Sequence, residues 1–116
     1  MSTRSTRHAP EKDYDLTLSE RVDLLIETEV VEVDKTDAQA VHLLQSFDAA
    51  RCAPFEVSVQ FSGGVVQQCW QVTRSDGDYC VVYMPNAGYF SLCVDSAFGP
   101  LDIGVHGPAL GCFGSV

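Results

Sequence analysis

Three residues near the C-terminus have side chains that could act together in catalysis: Asp102, His106 and Cys112. In such a combination cysteine is the nucleophile, histidine is the base and aspartate orients the base. A triad of this kind is defined by its arrangement in space, so the spacing along the chain does not establish it. The alternative is that the thiols are buried and inert. That alternative is favoured because Cys69, Cys80 and Cys93 lie within apolar alternations, where a free thiol behaves as a small apolar group.

No spacing typical of a metal or cofactor site occurs in the chain. His8, His42 and His106 are scattered among five cysteines that form no CxxC pair, whereas zinc sites need several ligands at characteristic spacings. The glycine-rich nucleotide-binding motifs and the common hydrolase motifs do not occur either. The sequence therefore predicts a protein that is not an enzyme and has no catalytic residues, no metal and no cofactor.

The N-terminal residues are polar, and no apolar run follows them that would make a signal peptide or a membrane span. The cysteines are odd in number, and without a secretion signal we expect them to stay reduced. These features predict a cytoplasmic protein that does not enter a membrane. Residues 1–13 lack periodicity, so we expect a disordered arm before a single domain over residues 14–116.

A second group of reactive side chains is a run of carboxylates in DLLIETEVVEVDKTD, residues 23–37, where Lys35 is the one base. The whole chain has a formal net charge of −9. Such a charge repels nucleic acid and anionic membranes and favours a basic protein partner. We therefore predict that five of these carboxylates form a partner-binding surface: Glu27, Glu29, Glu32, Asp34 and Asp37.

Aromatic residues in the second half of the chain are candidate anchors for the same partner. Tyrosine and tryptophan combine a large contact area with a polar group, and they are frequent at binding hot spots. The candidates lie on neighbouring predicted strands and are Trp70, Tyr79, Tyr83 and Tyr89. The alternative is that these rings cover the sheet and complete the core.

The first element that positions these residues has conflicting signals. Thr17 and Glu20 have the spacing of a capping box, which favours a helix over 18–31. The β-branched, alternating residues toward its end favour a strand over about 22–33 instead. The strand is the prediction, and the helix is the competing interpretation.

The next element is the clearest helix of the chain, over residues 36–51. A capping-box spacing repeats at Thr36 to Gln39. Four apolar residues then follow the i, i+3, i+4, i+7 pattern of one buried face: Ala40, Leu43, Leu44 and Phe47. Pro54 prevents the helix from continuing.

Alternating apolar residues after Pro54 predict four strands joined by short turns: FEVSVQF, VVQQCWQVTR, YCVVYM and YFSLCV. YCVVYM is apolar on both faces, so we expect it to be central and covered on both sides. In the glycine-rich segment 95–116, LDIGV is a candidate short edge strand. The rest is predicted as a loop or a tail packed by Leu110 and Phe113. The fold class is α+β, an antiparallel meander of about four to five strands with one main helix packed on one face.

The order of these segments resembles a family of small bacterial proteins. A charged segment leads into the helix AQAVHLLQSF, and FEVSVQF, a glycine turn, YCVVYM and PNAGYFSLCV follow. This order is similar to that of the cytosolic immunity proteins of polymorphic and contact-dependent toxin systems, in particular the family that protects against nuclease and deaminase toxins. The resemblance covers roughly residues 22–94. It implies an acidic α+β domain that binds a cognate toxin domain, blocks its active site and performs no chemistry.

Two other functions stay open at this point. One is a small-molecule-binding or enzymatic α+β domain that uses Asp102, His106 and Cys112. The other is an adaptor or subunit domain whose acidic segment meets a basic sister protein. The sequence is compatible with a monomer or a homodimer, because an exposed sheet edge invites pairing between chains.

Overall fold

The computed structural model describes residues 16–75 and 77–116, so the predicted N-terminal arm lies outside the described residues. Two helices come first, α1 (Leu18–Val31) and α2 (Ala38–Ala50). Five strands and a short helix complete the described chain: β1 (Arg51–Phe61), β2 (Val65–Thr73), β3 (Tyr79–Met84), β4 (Tyr89–Ser96), β5 (Gly99–Gly107) and α3 (Ala109–Phe113).

The segment that opens the described chain is a helix, and the prediction of a strand over 22–33 was wrong. The competing interpretation, a helix over 18–31, is confirmed. Its capping box is complete, because the Thr17 hydroxyl accepts from the Glu20 N–H at 3.1 Å and Glu20 accepts from the Thr17 N–H at 2.9 Å. Val22 and Ile26 are fully buried one turn apart. Packing of that face outweighs the preference of β-branched residues for strands.

The predicted second helix is confirmed as α2, with Asp37 as its N-cap in place of Thr36. The Asp37 carboxylate accepts from the backbone N–H groups of Gln39 at 2.9 Å and Ala40 at 3.3 Å. Leu44 and Phe47 of the predicted face are buried. The helix ends four residues before Pro54, which lies in β1 beside a break in the pairing register, where its missing N–H is tolerated.

The predicted antiparallel meander of four strands is confirmed as β1 to β4. The prediction of an open sheet with LDIGV as a short edge strand was wrong, because β5 runs from Gly99 to Gly107 and closes a five-stranded barrel. β5 pairs antiparallel with β4 and parallel with β1, where Gln60 is opposite Leu101. Gly99 and Gly104 have positive φ angles of 101° and 83°. They permit the tight turn before β5 and the irregular register beside Leu92.

Successive residues of the strands point to opposite sides of the barrel wall, and each side is apolar. β3 shows this clearly, because Cys80, Val82 and Met84 face the barrel interior while Val81 faces the helices. The expectation that YCVVYM is covered on both sides is confirmed. The interior cluster contains Val59, Cys69, Cys80, Val82, Met84 and Cys93.

The outer side of β2, β3 and β4 is covered by helices, so the single main helix of the prediction was also wrong. This cluster contains Val22, Ile26, Phe47, Val72, Val81, Phe90, Leu92, Ala109 and Cys112. The predicted tail is the helix α3, and both Leu110 and Phe113 pack against the cluster. The Phe113 ring meets that of Phe47 edge to face, with centroids 5.4 Å apart. No helix in the described ranges is long and apolar enough to cross a membrane.

We expect Ile26→Ala to lower the free energy of unfolding by about 2–5 kcal/mol, because it leaves a cavity between α1 and the sheet. Leu24→Ala is the matched control on the same helix. Its side chain is half exposed, so we expect a loss below about 1 kcal/mol. Urea titration followed by circular dichroism measures both values. Equal losses would contradict the observed orientation of α1.

Candidate functional site

Asp102 and His106 of the predicted catalytic set are in contact on β5. His106 Nε2 lies 3.0 Å from Asp102 Oδ1, and the two side chains are 34% and 11% exposed. The buried Ser91 hydroxyl donates to the same oxygen, and the Tyr89 ring stacks on the imidazole with centroids 5.1 Å apart. The carboxylate lies between the hydroxyl and the imidazole. This order differs from a serine nucleophile triad, in which histidine takes the central position.

The third residue of that set, Cys112, does not join the pair. Its thiol donates to the Val105 carbonyl oxygen at 3.5 Å and is buried in the helix-side cluster. Burial, with smaller contributions from the charges of Glu29 and Asp102, raises the pKa of the Cys112 thiol to about 11. A thiol at this pKa is protonated at neutral pH and is a weak nucleophile.

Three of the other thiols have the same character. Burial raises the pKa of the Cys69 thiol to about 11 and raises the pKa values of Cys93 and Cys52. Cys52, Cys69, Cys93 and Cys112 form no disulfide. Within residues 16–75 and 77–116, no group of three or more histidine, cysteine, aspartate or glutamate side chains is arranged to hold a metal ion.

Glu29, a predicted partner-binding carboxylate, has a structural role. It accepts hydrogen bonds from the backbone N–H groups of Ala109 at 2.8 Å and Leu110 at 3.0 Å. These are N–H groups at the start of α3, which lack partners within that helix. Glu29 therefore fastens the C-terminal helix to α1 across 80 residues of chain.

The other predicted carboxylates lie around α1 and the loop that follows it. Glu27 forms an ion pair with Arg51 at 2.6 Å, which Asp23 shares at 3.2 Å. Asp34 accepts from the hydroxyl and N–H of Thr36, and these hydrogen bonds lower the pKa of Asp34. Asp37 caps α2, as described above.

Glu32 is the exception among the five, because its carboxylate makes no hydrogen bond or ion pair with any described residue. α1 exposes more than charge on this side. Leu24 is 50% exposed and Val31 is 77% exposed, and they lie on one helix face because they are seven residues apart. We define the outer face of α1 as Leu24, Glu27, Thr28, Val31 and Glu32, which line one shallow depression.

Sequence reasoning missed Leu24 as a surface residue because it assigned this segment to a strand. A signal was present in the helical spacing. Val22, Ile26 and Val30 mark one apolar stripe, and Leu24 with Val31 marks another. One stripe packs on the sheet and the other is exposed to solvent.

Three of the four predicted aromatic anchors pack against the core, which agrees with the alternative that they cover the sheet. Trp70, Tyr79 and Tyr83 are half-buried against the helix-side cluster, and the Tyr83 ring contacts that of Phe90 with centroids 5.1 Å apart. Tyr89 is 40% exposed and is the best placed of the four for a partner.

The barrel strands and the turn before β5 also expose apolar residues. Val66 and Leu101 flank Gln60 on neighbouring strands, and Phe98 in the turn before β5 is 83% exposed. No predicted carboxylate lies on these strands. These exposed apolar residues therefore differ from the outer face of α1, where apolar residues lie beside predicted partner-binding carboxylates.

Comparison of the chain with protein-family models, with curated proteins and with solved structures found no match.

The raised thiol pKa values predict a loss of stability at alkaline pH. Thiols of the unfolded chain ionise near pH 9, whereas those of Cys69 and Cys112 ionise near pH 11 in the fold. Their contribution to the free energy of unfolding is therefore present below pH 9 and is lost as the pH rises toward 11. We expect a loss of about 1 kcal/mol per thiol at pH 10. Urea titrations at pH 8 and pH 10 measure it. Cys112→Ala should reduce the difference between the free energies of unfolding at pH 8 and pH 10. An unchanged difference would contradict the raised pKa of Cys112.

Glu29→Ala leaves two backbone N–H groups of α3 without acceptors, so we expect it to lower the free energy of unfolding by about 1–3 kcal/mol. Glu32→Ala is the matched control, because it removes a carboxylate of the same kind three residues away. It should change the free energy of unfolding by less than about 0.5 kcal/mol. Thermal unfolding compares the variants, and hydrogen exchange reports the Ala109 and Leu110 amides. Unchanged exchange in Glu29→Ala would show that this contact does not hold α3.

Proposed function

We propose that this protein is a non-enzymatic binding protein, an immunity protein that binds a basic cognate toxin domain of the nuclease or deaminase class and blocks its active site. The observation that carries the proposal is the outer face of α1, where exposed Leu24 and Val31 lie beside the carboxylates of Glu27 and Glu32. Exposed apolar side chains rimmed by charge are typical of protein-binding surfaces.

The charge of this region supports a basic partner. Residues 18–37 contain seven carboxylates and two bases, a net charge of −5. Glu29, Asp34 and Asp37 accept hydrogen bonds from uncharged groups, so these hydrogen bonds bring no positive charge to offset the carboxylates. Because these bonds also fix the carboxylates in position, the negative potential is organised before a partner arrives.

A nuclease or deaminase must bind nucleic acid, and it does so with lysine and arginine that meet phosphates. A fixed array of carboxylates can compete for the same cationic groups and accelerate association. Burial of Leu24 and Val31 would add affinity through the hydrophobic effect. Charge and apolar area therefore supply complementary parts of the binding free energy.

A second candidate function is a small-molecule-binding or enzymatic domain. The observation that favours it is the contact between His106 and the largely shielded Asp102 carboxylate, since an imidazole held this way can act as a general acid or base. His106→Gln separates the two proposals, because it removes the base and leaves the outer face of α1 unchanged. Unaltered toxin binding by this variant would support the binding function.

The proposal requires that a gene adjacent to this one encodes a basic toxin domain, and the test measures the association of that gene's product with this protein by stopped-flow fluorescence. We expect Val31→Lys with Glu32→Lys to slow association about tenfold or more at low salt, and less at high salt, because steering is screened. Leu24→Ala should leave association unchanged and increase the dissociation rate.

The matched control is Phe98→Lys with Glu56→Lys, which makes the same change in charge on the barrel and also replaces an exposed apolar residue by lysine. It should slow association much less than the α1 variant. Equal slowing by both pairs would show that net charge, and not this surface, governs binding. Binding to a basic protein other than a toxin would support the adaptor function in place of immunity.

A further inference from the structure

A groove of about 410 Å³ lies between α1 and the turn that joins β3 to β4. Its size falls in the range of ligand pockets, roughly 300–1,000 Å³. Leu25, Thr28 and Glu29 form the α1 wall, and Tyr89 and Pro108 are opposite. Thr28 also belongs to the outer face of α1, so the groove and the proposed interface are continuous.

Glu29 gives this mostly apolar groove a negative charge. Each of its two carboxylate oxygens accepts one hydrogen bond from a backbone N–H of α3, and each retains a lone pair for another donor. Within the described part of the chain, no lysine or arginine forms an ion pair with it. The carboxylate is therefore held in place, partly shielded from water and not neutralised, which favours a cation in the groove.

We propose that the groove receives the side chain of an arginine from the basic partner. The guanidinium donates to Glu29, the methylene stem packs on Leu25 and Pro108, and the planar group lies beside the Tyr89 ring. Arginine fits better than lysine because its guanidinium is weakly hydrated, donates bidentately to carboxylates and stacks on aromatic rings. This inference rests on the proposed function, because the proposed toxin domain supplies the arginine.

The first experiment needs no partner protein. The isotope-labelled protein is titrated with N-acetyl-arginine amide and, separately, with the citrulline amide, which has nearly the same shape and no charge. We expect saturable NMR shifts at the amides of Thr28, Gly88 and Gly107 with arginine and none with citrulline. Thr28→Lys places a cation in the groove and should abolish the shifts. Gln45→Lys, the same charge change on α2, should preserve them.

Absent shifts, equal shifts with citrulline, or shifts elsewhere on the surface would overturn the proposal. A second experiment repeats the toxin-binding measurement with Thr28→Lys, which should weaken affinity about tenfold more than Gln45→Lys. If arginine amide binds the groove and the toxin domain does not bind the protein, the proposed function is disproved, but the groove is still shown to bind a guanidinium group. The opposite result is that the toxin domain binds, arginine amide does not bind, and Thr28→Lys leaves toxin affinity unchanged. In that case the arginine site in the groove is disproved and the proposed function is retained.

Discussion

The constraint on which this structure depends is a sheet that is apolar on both faces. β3 places Cys80 and Val82 on one side and Val81 on the other. Exposure of either apolar side to water is unfavourable. The fold covers one side by curling the sheet into a barrel and the other by laying helices across β2, β3 and β4. Barrel closure also pairs the exposed strand edges, so the edge that invites dimerisation in an open sheet is removed where β5 meets β1.

The helix layer is held by carboxylates as well as by apolar contact, and this links the fold to the proposed function. Glu29 fastens α3 to α1, Glu27 and Asp23 share Arg51 at the start of β1, and Asp37 begins α2. Hydrogen bonds to backbone N–H groups restrain Glu29 and Asp37 without neutralising them, whereas Arg51 partly offsets the charge of Glu27 and Asp23. The same groups that stabilise the helices therefore create the fixed negative potential proposed to attract a basic partner.

Local signals predicted most of the elements. The capping-box spacing at Thr17 marked the start of α1 correctly, and the period of two predicted β1 to β4. The strand interpretation of 22–33 failed because β-branched residues are weak evidence when a tertiary surface buries one helical stripe. The full length of β5 and its pairing with β1 also escaped prediction, since closure depends on contacts between residues some forty positions apart.

The sequence by itself determined the net charge, the two apolar faces of β3 and the presence of an acidic, partly apolar segment before the second helix. These follow from residue type and from periods that extend over a few residues. Only the tertiary structure decided which carboxylates are engaged, that Val31 is exposed and that Asp102 meets His106 while Cys112 does not. The reason is that burial and hydrogen-bond partners depend on distant segments: the acceptor for α3 is Glu29, which lies 80 residues earlier in the chain.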